Sequence, residues 1–70
     1  MRVKLKERRE YCGLNQADVA KAAGISRAYY SRIENGAREG SVVVWGKIAD
    51  KLNYPRESVA ELIYNDDKRR

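Results

Sequence analysis

Histidine is absent from this 70-residue chain, and cysteine occurs once, at Cys12. These two shortages exclude a good deal of chemistry. No zinc finger, Cys–His nucleophile pair or Ser–His–Asp triad can be assembled, and no metal or cofactor is expected. Cys12 has no disulfide partner within the chain, which rules out a small secreted fold stapled by disulfides. No apolar run approaches the about 20 residues needed to cross a bilayer. Met1 to Lys6 carries the charge of a secretory leader with no hydrophobic stretch behind it. A soluble, cytoplasmic protein is the expectation. There is also no Gly-rich phosphate loop, and the carboxylates fall mostly on exposed helix faces, so an enzyme is not expected.

What the chain has in excess is charge. Charged residues make up 36%, against about a quarter in ordinary domains. Fifteen Lys and Arg against ten Asp and Glu leave a net charge of +5. That balance favours a polyanionic partner, nucleic acid before an anionic membrane surface. The basic first segment has too narrow an apolar stripe for a membrane, lacking the broad Trp/Phe/Leu face of interfacial helices. One small domain fits this length, with no ligand-sensing domain and no small-molecule ligand. Such a domain hides only about 60% of its unfolded surface, so marginal stability and self-association are expected.

Glycines and capping residues punctuate the chain, with no alternating strand pattern between them. A first helix is expected from about Arg2 to Cys12, with an inward stripe of Leu5, Arg9 and Cys12 and Gly13 as its left-handed stop. Asn15 then caps a second helix with Asp18 at its third position, a capping box, and Leu14 and Val19 form a hydrophobic staple. Gly24 ends that helix after Ala23. The grammar repeats at once: Ile25 precedes the cap Ser26, Tyr30 stands where it would staple to Ile25, and a third helix runs from Arg27 to Asn35. Ser41 caps a fourth helix carrying Trp45, Ile48, Ala49 and Leu52 inward. Pro55 suits an early position of a fifth helix, with Val59, Leu62 and Ile63 inward. Residues 1–64 form the expected domain, and 65–70 an expected polar, flexible tail.

Two short helices joined by one glycine turn are the architecture of a helix-turn-helix, whose second helix lies in the DNA major groove. Ala20 and Ala23 are small enough to let the helices cross closely. On the third helix Tyr30, Ile33 and Glu34 share one face, and Arg27, Ala28, Ser31, Arg32 and Asn35 share the other. A polar face with two arginines is what reading of base edges requires.

The stretches Leu14-Asn15-Gln16-Ala17-Asp18-Val19-Ala20, Gly24-Ile25-Ser26-Arg27 and Ser31-Arg32-Ile33-Glu34-Asn35-Gly36 resemble the phage repressor and Cro-like (XRE-type) helix-turn-helix proteins. Lys47-Ile48-Ala49 and Leu52 match the fourth helix of that family, so the resemblance spans about Leu5 to Ile63. It implies an all-α fold, a five-helix lambda-repressor-like bundle with the helix-turn-helix at helices 2 and 3. It also implies sequence-specific binding of double-stranded DNA as a homodimer, and transcription regulation, repression before activation. Small restriction–modification controllers and phage or plasmid regulators share the pattern, and RNA polymerase is a further implied partner.

Residue by residue, the resemblance places Arg27, Ala28 and Arg32 on base edges, where arginine suits guanine O6 and N7 and a methyl suits thymine. Gln16 and Tyr29 join them at the edge of the groove. Phosphate contacts are implied for Asn15, Ser26, Ser31, Asn35, Arg38 and Lys6. Arg9 and Glu34 hold positions that pair as ions in related sequences. One departure concerns the usual Pro-Ser before the fourth helix, which is Gly40-Ser41 here, followed by Val42-Val43-Val44. An amphipathic helix cannot bury all three valines, so Val42 and Val43, with Val59, are expected in a two-fold interface. The competing class is an antitoxin or protein-interaction adaptor that keeps this fold without reading DNA.

Overall fold

The structure is a computed structural model and describes residues 1–64; the expected tail at 65–70 lies outside the described residues. It is all-α. Helices α1 (Val3–Tyr11), α2 (Gln16–Ala23), α3 (Arg27–Glu34), α4 (Val42–Lys51) and α5 (Ala60–Tyr64) follow in order, with a 3-10 turn at Arg56–Ser58 before α5.

Local chemistry sets the starts and stops. Asn15 Oδ1 accepts from Asp18 N–H at 2.8 Å while Asp18 Oδ2 accepts from Asn15 N–H at 3.0 Å, closing the capping box of α2. Ser26 Oγ accepts from Tyr29 N–H and Ser41 Oγ from Val44 N–H, so α3 and α4 begin in the same way. Gly24 ends α2 at φ +73°. The left-handed turn lets Ile25 N–H reach back to the Ala20 carbonyl at 3.0 Å, a Schellman-type closure that β-carbon-bearing residues resist. The third helix stops one residue short of the expected end, with Asn35 as its cap.

The core is the expected stripe from each helix: Leu5, Val19, Ala20, Ala23, Tyr30, Ile33, Trp45, Ile48, Leu52 and Leu62. Leu14, Ile25 and Cys12 pack on its edge half-buried, and the Cys12 thiol donates to the Leu52 carbonyl at 3.4 Å. Helix α2 lies between α3 and α4, while α1 packs on α3 and α5. Ala20 and Ala23 are both buried where α2 packs on its neighbours.

The fifth helix differs from the expectation. Pro55 is not inside it: its ψ of 131° is extended, and it caps the 3-10 turn. Ser58 N–H to Pro55 O and Val59 N–H to Arg56 O are i to i+3 bonds that tighten the backbone. The chain thereby passes from α4 to α1 within a few residues, leaving α5 only five residues long.

Candidate nucleic-acid interface

Eight residues of α3 are divided between two environments. Tyr30, Ile33 and Glu34 are buried, whereas Arg27, Ala28 and Arg32 are exposed. The division follows from helical spacing, because residues three and four apart share a face.

The buried side is anchored by a polar cluster. Arg9 grips Glu34 with two prongs, Nε to Oε2 at 2.8 Å and Nη2 to Oε1 at 3.1 Å. Tyr30 Oη donates to Oε2 at 2.9 Å and Gln16 Nε2 to Oε1 at 3.0 Å. Arg9 Nη1 also donates to the Leu14 carbonyl just ahead of α2. The carboxylate, 1% exposed, is therefore fully partnered, as a buried charge must be. Burial works to raise the Glu34 pKa, but the hydrogen bonds from Arg9, Gln16 and Tyr30 outweigh it and leave the carboxyl below its ordinary value. Burial, then the neighbouring carboxylate, pushes the Tyr30 phenol far up. The bond to Glu34 raises Arg9 further above its already high value, against the pull of burial.

On the open side, Arg27, Ala28, Ser31, Arg32 and Asn35 line one shallow concavity together with Gln16. Arg27 and Arg32 make no ion pair among the described residues, so both guanidinia keep their donors available. Gln16 touches both environments. Its Nε2 donates to Glu34 while the residue also lines the concavity, and that bond leaves the amide oxygen and one N–H for a ligand. This second role is legible only once α3 has placed Glu34 beside it.

The chain has the layout of a DNA-reading module, and comparison with known proteins decides the family. A family model described as a helix-turn-helix domain matches residues 1–62. The chain belongs to the XRE-like helix-turn-helix family. An uncharacterized HTH-type transcriptional regulator of Bacillus subtilis (strain 168), YqaF, is 47% identical over 68 residues, 97% of this chain and 90% of that protein. No solved structure matches.

Within this helix-turn-helix, α2 and α3 are the motif and α3 is its outer helix. The other sequence-predicted site residues fall as follows. Tyr29 is half-buried and packs on the core, and it is not among the residues that line the concavity. The Asn15 and Ser26 side-chain oxygens are used as caps, so the Asn15 amide N–H groups and the Ser26 hydroxyl proton are what they can offer an anion. Arg38 is exposed in the α3–α4 loop, and Lys6 is half-buried on α1 outside the concavity.

Away from α3, the helix-turn-helix carries an apolar groove of about 290 Å³ between α4 and α5. Val42, Trp45, Gly46, Val59, Ile63 and Tyr64 form most of its lining. Val42 is 89% exposed and Val43 66%, while Val44 and Val59 are half-buried. Among the described residues no helix is long and apolar enough to cross a membrane, and no cluster of three or more His, Cys, Asp or Glu could hold a metal.

One buried charge escaped sequence reasoning altogether. Arg2, in the run read as a basic helix start, is 5% exposed and forms hydrogen bonds with backbone carbonyls from three distant segments.

Proposed function

We propose that the protein is a sequence-specific double-stranded DNA-binding transcriptional regulator that acts as a homodimeric repressor on a palindromic operator. The observation that carries this reading is the open face of α3, where Arg27 and Arg32, without an ion pair among the described residues, line one concavity with Ala28 while the opposite face is locked by Arg9–Glu34. In this reading Arg27, Ala28, Arg32, Gln16 and Tyr29 meet base edges, and Asn15, Ser26, Ser31, Asn35, Arg38 and Lys6 meet phosphates. Residues 1–64 form the DNA-binding unit.

The two-fold partner is a second copy seated on the α4–α5 groove through Val42, Val43 and Val59. Burying Val42 and Val43 would cover two adjacent exposed valines, 89% and 66% exposed. A palindromic operator requires the two outer helices of such a dimer to lie about 34 Å apart, one DNA turn. Repression then requires occupancy alone, since a bound dimer excludes polymerase from the site it covers. A DNA target places the protein in the cytoplasm.

Selection of bound duplexes from a random pool tests the reading. The expected result is a palindrome with half-sites about 10 bp apart, and Arg32→Ala relaxing preference at one base pair per half-site by about 1–3 kcal/mol. Lys6→Ala should weaken every sequence alike. Failure to enrich any sequence would favour the adaptor class, and Val42→Asp leaving a dimer intact on sedimentation would reject the groove as the interface.

A further inference from the structure

Among the described residues, Arg2 is buried without a buried counter-ion. The one carboxylate among them within reach, Glu39, is exposed and stands 3.5 Å away. Carbonyl dipoles replace it. Nη1 donates to the Ile33 carbonyl at 2.6 Å and to the Arg38 carbonyl at 2.9 Å, and Nε donates to the Ile63 carbonyl at 2.9 Å. Ile33 lies in the last turn of α3, where the helix dipole favours a cation. The guanidinium also sits 5.4 Å over the Trp45 ring. The main-chain N–H of Arg2 adds a bond to the Glu34 carbonyl at 2.8 Å.

One of these bonds, to the Arg38 carbonyl, reaches the loop between α3 and α4, while the others hold the end of α3 and α5. Trp45 Nε1 donates to the Glu39 carbonyl at 2.7 Å. Gly40, at φ +76°, lies so close that a β-carbon there would stand 2.9 Å from the same indole nitrogen. The loop thus has two buried pins, an arginine at residue 38 and an indole at residue 39. Its own amides fold back onto α3: Ala37 and Arg38 N–H both reach the Arg32 carbonyl.

We propose that Arg2 is a positioning residue for DNA binding: its guanidinium fixes the α3–α4 loop, so that the exposed Arg38 side chain is presented to the phosphate beside the outer helix, and it ties that loop to α5. This rests on the reading of α3 as the helix that enters the groove. The charge of Arg2 itself never reaches DNA. Its effect passes entirely through the backbone of residues 33, 38 and 63.

The test compares Arg2→Gln, Arg2→Lys, Arg38→Ala and the Arg2→Gln/Arg38→Ala pair in the full chain. Amide hydrogen exchange of the free protein is read first. In Arg2→Gln the Ala37 and Arg38 amides should exchange more than tenfold faster relative to those of α2, and Arg2→Lys should behave alike, because a single ammonium nitrogen lacks the planar spread by which Nε and Nη1 reach carbonyls on different segments. On the selected duplex, Arg2→Gln and Arg38→Ala should each lower the log–log salt slope by about 0.9 per engaged protomer. The double variant should bind no more weakly than Arg38→Ala. Unchanged loop exchange, or additive losses in the double variant, overturns the proposal. Absence of any selected duplex for the unmodified protein would instead sink the DNA reading and leave the exchange result standing. If Arg2→Gln does not fold, Arg2→Lys carries the same comparison.

Discussion

Two arginine–carboxylate contacts in this small protein have nearly the same geometry and opposite surroundings. Arg9 holds Glu34 through two prongs with the shorter at 2.8 Å, and Arg56 holds Asp50 through two prongs with the shorter at 2.7 Å. The Arg9 and Glu34 side chains are 10% and 1% exposed, those of Arg56 and Asp50 64% and 59%. Distance therefore does not set what a pair is worth. In water the solvent competes for both charges and salt screens them. Inside, Glu34 also depends on Gln16 and Tyr30, and each of the four groups would be stranded without the others.

The largest effect should come from stranding the buried charge. Glu34→Ala leaves Arg9 without its counter-ion and should cost about 3–5 kcal/mol. The whole stability of a 70-residue domain is about 4–10 kcal/mol, so urea unfolding should find that the variant has lost a large share of it. Replacing both partners, as Arg9→Met with Glu34→Leu, should recover part of the loss, the remainder staying with the Tyr30 hydroxyl that loses its acceptor. A double variant as unstable as Glu34→Ala alone would mean that the packing of the site, not the orphaned charge, was responsible.

Tyr30→Phe comes next. It removes one hydrogen bond to an ionised carboxylate and should cost about 1.5–3 kcal/mol by the same measurement.

The cluster should also shape the pH profile at both ends. The Glu34 carboxyl is lowered in the folded protein, so its contribution is complete above the unfolded value of about 4.3 and fades as pH falls through that value and below. The Tyr30 phenol is raised, so its contribution is complete below the unfolded value of about 10 and fades as pH rises past it. Thermal melts across pH should show a plateau with two falling limbs. Glu34→Gln should flatten the acid limb and Tyr30→Phe the alkaline one. An acid limb that survives Glu34→Gln unchanged would place the responsible carboxylate elsewhere.

The smallest effect belongs to the exposed pair. Asp50 is lowered and Arg56 raised by their mutual hydrogen bond, yet Asp50→Asn should leave the melting temperature within error of the parent. A loss comparable to that of Tyr30→Phe would break the distinction between the two pairs.

The same distinction explains how far the sequence could be read. Caps, staples and glycine stops act over a few residues, so α2, the turn and α3 follow from Asn15, Asp18, Gly24 and Ser26. The inward face of α3 follows from spacing, and so does its open face. Arg2 was not legible in this way. An arginine in a basic run reads as a solvated charge, and only partners 31, 36 and 61 residues away bury it. Gln16 carries the same lesson in milder form, since Glu34, 18 residues on, turns a helix-start residue into part of the interior cluster. At the fifth helix, Pro55 fits a helix start by composition, but the reversal from α4 to α1 demands an extended proline and a tighter turn.

Trp45 is the single tryptophan of the chain, and it stands as a partition. One edge lines the apolar groove, while its indole nitrogen holds the Glu39 carbonyl and its face lies under Arg2. The molecule consequently carries an unlabelled optical gauge. Drying of the groove edge by an incoming apolar surface should shift its emission to the blue, and release of the Glu39 carbonyl should change its lifetime. One chromophore can thus register assembly on one side and loosening on the other.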